Sequence, residues 1–206
     1  MWVRIPPWTQ MKKKLLRDSD KSLVSYIVGV AIGDGNLSNP NGRATRLRVY
    51  CDLKYPKLIQ KIQSTISTIF PENKVSLTKG RGNYLSISCY SNHWEKLLGW
   101  HAADGSKFIQ DVSIPDWIKK NEIYKINCLR GLIETDGSIY NDRGYKMVMF
   151  TNATYRLASD VFNIIESLNF KPHIYKVKNG KGGIIYRVRL AKKVEQFLEL
   201  VKPEKL

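Results

Sequence analysis

Two short stretches carry the strongest apolar patterning in the chain. Ser25-Tyr-Ile-Val-Gly-Val-Ala-Ile-Gly-Asp-Gly35 and Cys128-Leu-Arg-Gly-Leu-Ile-Glu-Thr-Asp-Gly137 are apolar runs that both end in Asp-Gly. Each places small residues four apart, Gly29 with Gly33 and Gly131 with Thr135. That spacing puts the small residues on one helical face, where two backbones can approach closely. A glycine inside a helix costs roughly 0.5–1 kcal/mol relative to alanine, so its repeated use predicts two helices packed face to face. Asp34 and Asp136 then lie at the same end of the pair. One apolar helix followed by glycine is ordinary; two copies carry weight because the sequence between them also repeats.

The remaining pattern supplies that repeat. The first motif helix is expected over Ser22 to Gly33 and the second over about 121–135. Residues 36–51 read as a hairpin around Asn39-Pro-Asn-Gly42. Its second strand alternates, with Arg46, Arg48 and Tyr50 opposite Leu47, Val49 and Cys51. Leu58, Ile59, Ile62, Ile66 and Ile69 have helical spacing. A second hairpin joins Val75–Lys79 to Tyr84–Ser91, with Tyr84, Ser86, Ser88 and Tyr90 opposite Leu85, Ile87 and Cys89. A short helix around Trp94–Leu98 closes the half. The order recurs with a strand at Tyr145–Thr151, a helix over 154–169 and a hairpin of Ile174–Lys178 with Ile184–Leu190. A closing helix follows with Val194, Phe197 and Leu198. Tyr55 matches Tyr155 and Phe70 matches Phe170, both displaced by 100. The expected organisation is a basic arm over 1–20, a first repeat over 21–100, a linker over 101–120 and a second repeat over 121–206. The fold class is α+β, with two pseudo-symmetric αββαββα repeats and two central motif helices.

Composition narrows the partner. Lys and Arg number 34 against 18 acids, a net charge of +16, which favours a polyanion. Apolar residues at 43% and aromatics at 11% argue against a disordered basic tail. Cys51, Cys89 and Cys128 lie far apart and fit reduced core positions, and His93, His101 and His173 have no metal-ligand spacing. No secretion signal is present, and the longest apolar run is shorter than the roughly 20 residues that cross a membrane. A cytoplasmic (prokaryotic) or organellar location is expected. In the arm, Val3-Arg-Ile-Pro6 reverse-translates to a sequence like the T-arm of a tRNA gene. The expectation is a reading frame that begins in or beside such a gene, with translation starting at Met11.

The paired motifs resemble those of the LAGLIDADG family of homing endonucleases, in its single-chain, two-motif form. Leu129-Arg-Gly-Leu-Ile-Glu-Thr-Asp-Gly137 keeps six of the nine signature residues, while Ile27 to Gly35 keeps the glycine at the third position and the closing Asp-Gly. The resemblance covers roughly residues 22–202. It implies that the two sheets form a saddle over a long duplex. It also implies that Asp34 and Asp136 are the essential acids, and that the earlier acid of the motif, Ile32 and Glu134 here, is not essential. Ile114-Pro-Asp-Trp-Ile118 resembles a segment found before the family's second motif. Lys107 resembles a basic residue beside the family's active site; its second-half counterpart is open between Lys202 and Lys205. Asp52 and Asn152 are candidates for ordering the attacking water. The expected metal donors are Asp34, Asp136, Gly33 and Thr135. The cation is Mg²⁺, with Ca²⁺ substituting for binding and Mn²⁺ for activity.

The alternating strands leave one sheet face polar and basic, suited to a B-DNA major groove about 12 Å wide. Candidate DNA contacts in the first half are Ser38, Arg43, Arg46, Arg48, Tyr50, Ser76, Thr78, Lys79, Arg81, Ser86 and Ser88. In the second they are Ser138, Tyr140, Lys146, Lys176, Lys178, Lys181, Arg187 and Arg189, with Lys181 read as a phosphate contact. The halves differ at many of these positions, so the site is expected to be non-palindromic. The leading expectation is a monomeric, metal-dependent endonuclease that cuts both strands of double-stranded DNA, leaving short 3′ extensions. Two alternatives stand beside it: a maturase acting on its host intron RNA, and a DNA-binding regulator of the same fold. Retention of both acids argues against the regulator. An intein is disfavoured because neither end has a splicing block.

Overall fold

The structure, a computed structural model, describes residues 18–180 and 182–205. The basic arm with its Met11 start, and Lys181, lie outside the described residues. The first half runs α1 (Asp18–Asp34), β1 (Gly35–Ser38), β2 (Arg46–Asp52), α2 (Pro56–Ile69), β3 (Val75–Lys79), β4 (Tyr84–Tyr90) and α3 (Trp94–Leu98). A linker carries α4 (Asp116–Lys119), a short helix that overlaps the Ile114–Ile118 segment. The second half runs α5 (Glu122–Thr135), β5 (Gly137–Asp142), β6 (Tyr145–Asn152), α6 (Tyr155–Ser167), β7 (His173–Lys178), β8 (Ile184–Leu190) and α7 (Val194–Val201). The architecture is α+β, with the same sequence of elements laid down twice. Each half forms one antiparallel four-stranded sheet, ordered β1-β2-β4-β3 and β5-β6-β8-β7.

The helices follow from local chemistry. The Asn121 side chain caps α5 by accepting from the Tyr124 N–H at 3.2 Å. Pro56 starts α2, where its missing N–H costs nothing. Leu58, Ile59, Ile62, Thr65 and Ile66 form the buried stripe of α2, repeated in α6 by Leu157, Ala158, Val161, Ile164 and Ile165. The two-residue β5–β6 turn has positive φ at both Arg143 (50°) and Gly144 (86°), as a type I′ hairpin turn requires.

α1 and α5 are buried almost all round and form the axis between the halves. Their contact is backbone on backbone. A β-carbon on Gly29 would collide with the Cys128 carbonyl, and one on Gly131 would lie 2.5 Å from the Tyr26 oxygen and 2.6 Å from the Val30 nitrogen. A β-carbon on Gly33 would strike the Thr135 side chain, so the helices are still touching at their C-terminal ends. Cys51, Cys89 and Cys128 are free and buried, and burial pushes the Cys51 and Cys89 thiols up to about 12 and about 11.

Each sheet covers its helices with one face and leaves the other open. In the first sheet Leu47, Val49, Ile87 and Cys89 are buried, so Arg46, Arg48, Tyr50, Ser86 and Ser88 lie opposite them. In the second sheet Val148, Phe150, Val188 and Leu190 are buried. That phase corrects four expected positions. Lys146 shares parity with Val148 and Phe150, lies on the helix side, and pairs with Glu195 of α7 at 2.8 Å. Lys176 and Lys178 stand opposite Tyr186 and Ile184, on the same helix-side face of edge strand β7. Lys79 stands opposite Leu85, again on the helix side. A strand reverses every side chain when its phase moves by one residue, and exposure of an edge strand on both sides hides the phase. Among the described residues no helix is long and apolar enough to cross a membrane.

Candidate active site and nucleic-acid interface

Asp34 and Asp136 stand at the ends of α1 and α5, where the helices touch. Both carboxyls are held above the ordinary carboxylate range. For Asp136 the causes are burial first and then the Asp34 charge; for Asp34, whose surface is open on one side, the cause is burial by the surrounding helix ends. Lys107 and Lys205 oppose the rise at both acids.

The two lysines come from the linker and from the tail after α7, and reach the two helix ends. Lys107 Nζ donates to the carbonyls of Ala31 (3.2 Å), Ile32 (2.6 Å) and Gly33 (2.5 Å). Lys205 Nζ donates to the Thr135 carbonyl at 3.2 Å. These carbonyls lie in the last turns of the two helices, at the negative end of the helix dipole. Neither helix has a basic residue in its own last turn, so the positive charge arrives from elsewhere in the chain. Of the two open alternatives for the counterpart of Lys107, Lys205 is the one that reaches a helix end. Lys202 is exposed and caps α7 in the left-handed conformation.

Both lysines are held by their segments. The linker around Lys107 is tied by Gln110 Nε2 to the His101 and Gly105 carbonyls at 2.8 and 3.0 Å, and by Ile114 N–H to Asp160 at 2.9 Å. The tail bearing Lys205 is tied through Glu134, which is fully buried. Glu134 accepts from the Tyr26 hydroxyl (2.7 Å) and the Glu204 N–H (2.8 Å), with Lys61 Nζ at 3.6 Å. The earlier acid of the second motif therefore anchors the tail. Ile32 has no such task, because Lys107 arrives by the linker.

Asn152 Nδ2 donates to Asp136 Oδ2 at 3.3 Å, and its Oδ1 accepts from Thr154 N–H at 2.9 Å. Asp52 is placed differently. Its carboxylate accepts from Lys54 N–H at 3.0 Å and Asn83 Nδ2 at 2.9 Å, on the exposed end of the first sheet. The hydrogen bond from the Lys54 backbone, followed by the Lys54 ammonium, holds its carboxyl below the ordinary range. Register explains the difference: Gly35 faces Val49, whereas Gly137 faces Phe150. Cys51, not Asp52, is thus the counterpart of Asn152, and the Asp34 charge helps raise its buried thiol. A cavity of about 270 Å³ opens between the halves, lined by Gly33, Lys107, Phe108, Asp136, Asn152 and Leu157 among others.

The donor set fits a hard divalent cation. Two carboxylates and the Gly33 and Thr135 carbonyls are all oxygen, and both carbonyls already attract an ammonium. Among the described residues there is no group of three or more His, Cys, Asp and Glu side chains that could hold a metal by themselves.

On the open sheet faces, Arg46 Nε donates to Ser38 Oγ (3.2 Å) and Arg48 to the Tyr50 hydroxyl (3.1 Å). Row by row, Ser76 and Ser88 stand with Arg48, and Thr78 and Ser86 with Tyr50. Arg43 and Arg81 lie exposed in the adjoining turns. In the second sheet Ser138, Tyr140, Arg187 and Arg189 are on the open face, joined by His173 and Tyr175, which sequence reasoning missed. The Nε groups of Arg187 and Arg189 are buried without a hydrogen-bond partner.

This fold, with paired acids at the junction of two sheet-bearing repeats, defines a class that comparison with known proteins identifies. Residues 124–202 match the LAGLIDADG-like domain and residues 23–89 the WhiA LAGLIDADG-like domain. The chain thus carries two LAGLIDADG-like domains in tandem. Among solved structures, mesophilic variants of the homing endonuclease I-DmoI superpose with a TM-score of 0.67 at 16% identity, covering 89% of this chain and 97% of theirs. I-DmoI in complex with DNA and Mn gives 0.65 at 18%, covering 88% and 97%. The N-terminal LAGLIDADG domain of DUF199/WhiA gives 0.61 at 14%, covering 98% and 95%. A curated relative, the tRNA-splicing ligase RtcB of Methanopyrus kandleri, is 23% identical over 89% of this chain, which spans about a fifth (21%) of that protein's length.

Proposed function

We propose that this chain is a site-specific DNA endonuclease that hydrolyses both strands of a long, non-palindromic duplex with the help of divalent cations, leaving short 3′ extensions. The observation that carries this reading is the convergence of Asp34, Asp136, Lys107 and Lys205 at the touching ends of α1 and α5. A fold that needed only two packed helices would not require two acids crowded above their ordinary pKa range, nor two lysines brought from distant segments.

Asp34, Asp136 and the carbonyls of Gly33 and Thr135 would hold Mg²⁺, which when bound neutralises charge on the phosphate and acidifies a bound water. Lys107 and Lys205 supply positive charge to the phosphate oxygens entering the same space. Asn152 fixes the orientation of Asp136 and offers an amide that orders water. The open sheet faces hold the duplex, with arginines suited to guanine edges and serines and tyrosines to bases or phosphate. The I-DmoI structures solved with DNA and Mn or Ca support this use of the fold.

The match of residues 23–89 to the WhiA domain favours a second reading, a DNA-binding regulator. Selection of bound duplexes from a random pool, followed by incubation of a plasmid carrying the selected site, separates the two. The nuclease converts supercoiled plasmid to the linear form in Mg²⁺ and not in chelator. Tight, specific binding with no cleavage in Mg²⁺ or Mn²⁺ would establish the regulator instead.

A further inference from the structure

The two open faces differ in chemistry. Every open-face position of the first sheet is polar or tyrosine: Arg46, Arg48 and Tyr50 lie beside serines and a threonine. The second sheet places Met147, Met149, Val177 and Ile185 on its open face, interleaved with Arg187 and Arg189. Met149 stands directly opposite Arg189, and Val177 directly opposite Ile185. These four apolar side chains are absent from the buried core and from the residues packed against it. The Tyr175 hydroxyl donates to the Met149 sulfur at 3.6 Å.

Apolar residues scattered singly over a surface are common, but four half-buried ones sharing the open face of one sheet mark a surface that meets a partner. The two arginines between them, with unpartnered Nε groups, and the charge of +16 select an anionic partner. Only one base edge in the major groove is apolar, the C5 methyl of thymine, whereas guanine offers the acceptor pair that suits arginine. Resting on the DNA-binding reading above, we infer that the second sheet reads a half-site of guanines set among thymines whose methyl groups it contacts directly. The first sheet reads its half-site by hydrogen bonding, without use of methyl groups. Met147, Met149, Val177 and Ile185 are then specificity-determining residues of one half-site.

The first arm of the test leaves the protein untouched. From a random duplex pool the wild-type chain is used to select its site, and the site is resynthesised with deoxyuridine for every thymidine in one half at a time. Deoxyuridine keeps the hydrogen-bonding edge and lacks only the methyl. Each contacted methyl contributes about 0.8 kcal/mol, so its loss weakens binding about four-fold, and two weaken it about sixteen-fold. The expected result is this loss in the half bound by the second sheet and an unchanged affinity in the other. Met149→Gln, with folding monitored by thermal melting, should abolish the sensitivity at one thymine while leaving the other half-site preference intact. Equal affinities for the substituted halves, or a selected half-site without thymine, would overturn the inference while leaving the endonuclease reading standing. Failure to select any duplex would overturn both. A dimer in solution that Met149→Gln dissolves would assign the apolar strip to a second copy of the chain and overturn the inference.

Discussion

The backbone-on-backbone contact along α1 and α5 makes Gly131→Ala an informative perturbation. In an isolated helix this change would stabilise by about 1 kcal/mol through propensity. Here the new β-carbon would lie 2.5 Å from the Tyr26 oxygen and 2.6 Å from the Val30 nitrogen, where ordinary contact begins near 3.4 Å. The helices must therefore separate by about 0.9 Å at this point. A gap of that size forfeits about a quarter to a half of the dispersion energy of each contact pair along the interface. Overpacking of this kind costs about 1–3 kcal/mol. Because the atoms met are backbone, which has no rotamer to yield, the upper end is expected, net of the propensity gain. That leaves a net cost of about 2 kcal/mol; for a chain of this size 1 kcal/mol shifts Tm by about 2–4 °C, so the expected loss is about 4–8 °C. Thermal melting by circular dichroism measures it, with Gly180→Ala as a control, since a β-carbon there meets nothing within 4 Å. Cleavage should fall more than DNA binding, because the separation moves Asp34 and Asp136 while leaving the sheet faces intact. A melting temperature equal to wild type with full cleavage would refute the reasoning.

Asp136→Asn should raise the Tm of the metal-free protein. A carboxyl held above its ordinary pKa contributes stability that is full below that ordinary value and lost as pH rises through the folded-state value, so the gain should be larger near neutrality than near pH 4. Glu134→Leu removes the buried acceptor of the Tyr26 hydroxyl and the Glu204 N–H and leaves Lys61 with the Glu204 carboxylate as its remaining ion-pair partner. Breaking such a buried set costs about 3–5 kcal/mol, and hydrogen exchange should show the tail at 202–205 released. DNA affinity should fall roughly 10³–10⁵-fold between 50 and 200 mM salt if six to ten phosphates are engaged; a flat salt dependence in filter binding would remove the duplex-saddle account.

The parts of the fold visible in the sequence were those with strong periodicity. The small-residue spacing in α1 and α5, the stripes of α2 and α6 and the alternation in β2 and β4 each bury one face completely, so their phase is explicit. β6 was less readable because Met147 and Met149 alternate with Val148 and Phe150, making both faces apolar, and Lys146 then follows the wrong face. β7 lies at an edge, and its lysines show no phase. Asp34 and Asp136 were legible because each closes a repeated motif. Asp52 was mismatched because the displacement of 100 between the helical tyrosines and phenylalanines does not hold in the strands, where register aligns Cys51 with Asn152. Lys205 could not be singled out, since the tail is brought to the helix end by residues far away in sequence, Glu134 and Lys61 both binding Glu204.

The central claim is that the paired aspartates at the helix ends cut DNA, and the most direct measurement is plasmid linearisation by Asp34→Asn and Asp136→Asn. The amide keeps the shape of the side chain and loses the charge that holds a hard cation. Each variant should bind the selected site in Ca²⁺ as tightly as wild type. In Mg²⁺ each should lose double-strand cleavage by about a thousand-fold or more, the several kcal/mol that a bound cation contributes. Linearisation by Asp34→Asn at the wild-type rate, or efficient cutting by the wild type in excess chelator, would contradict it.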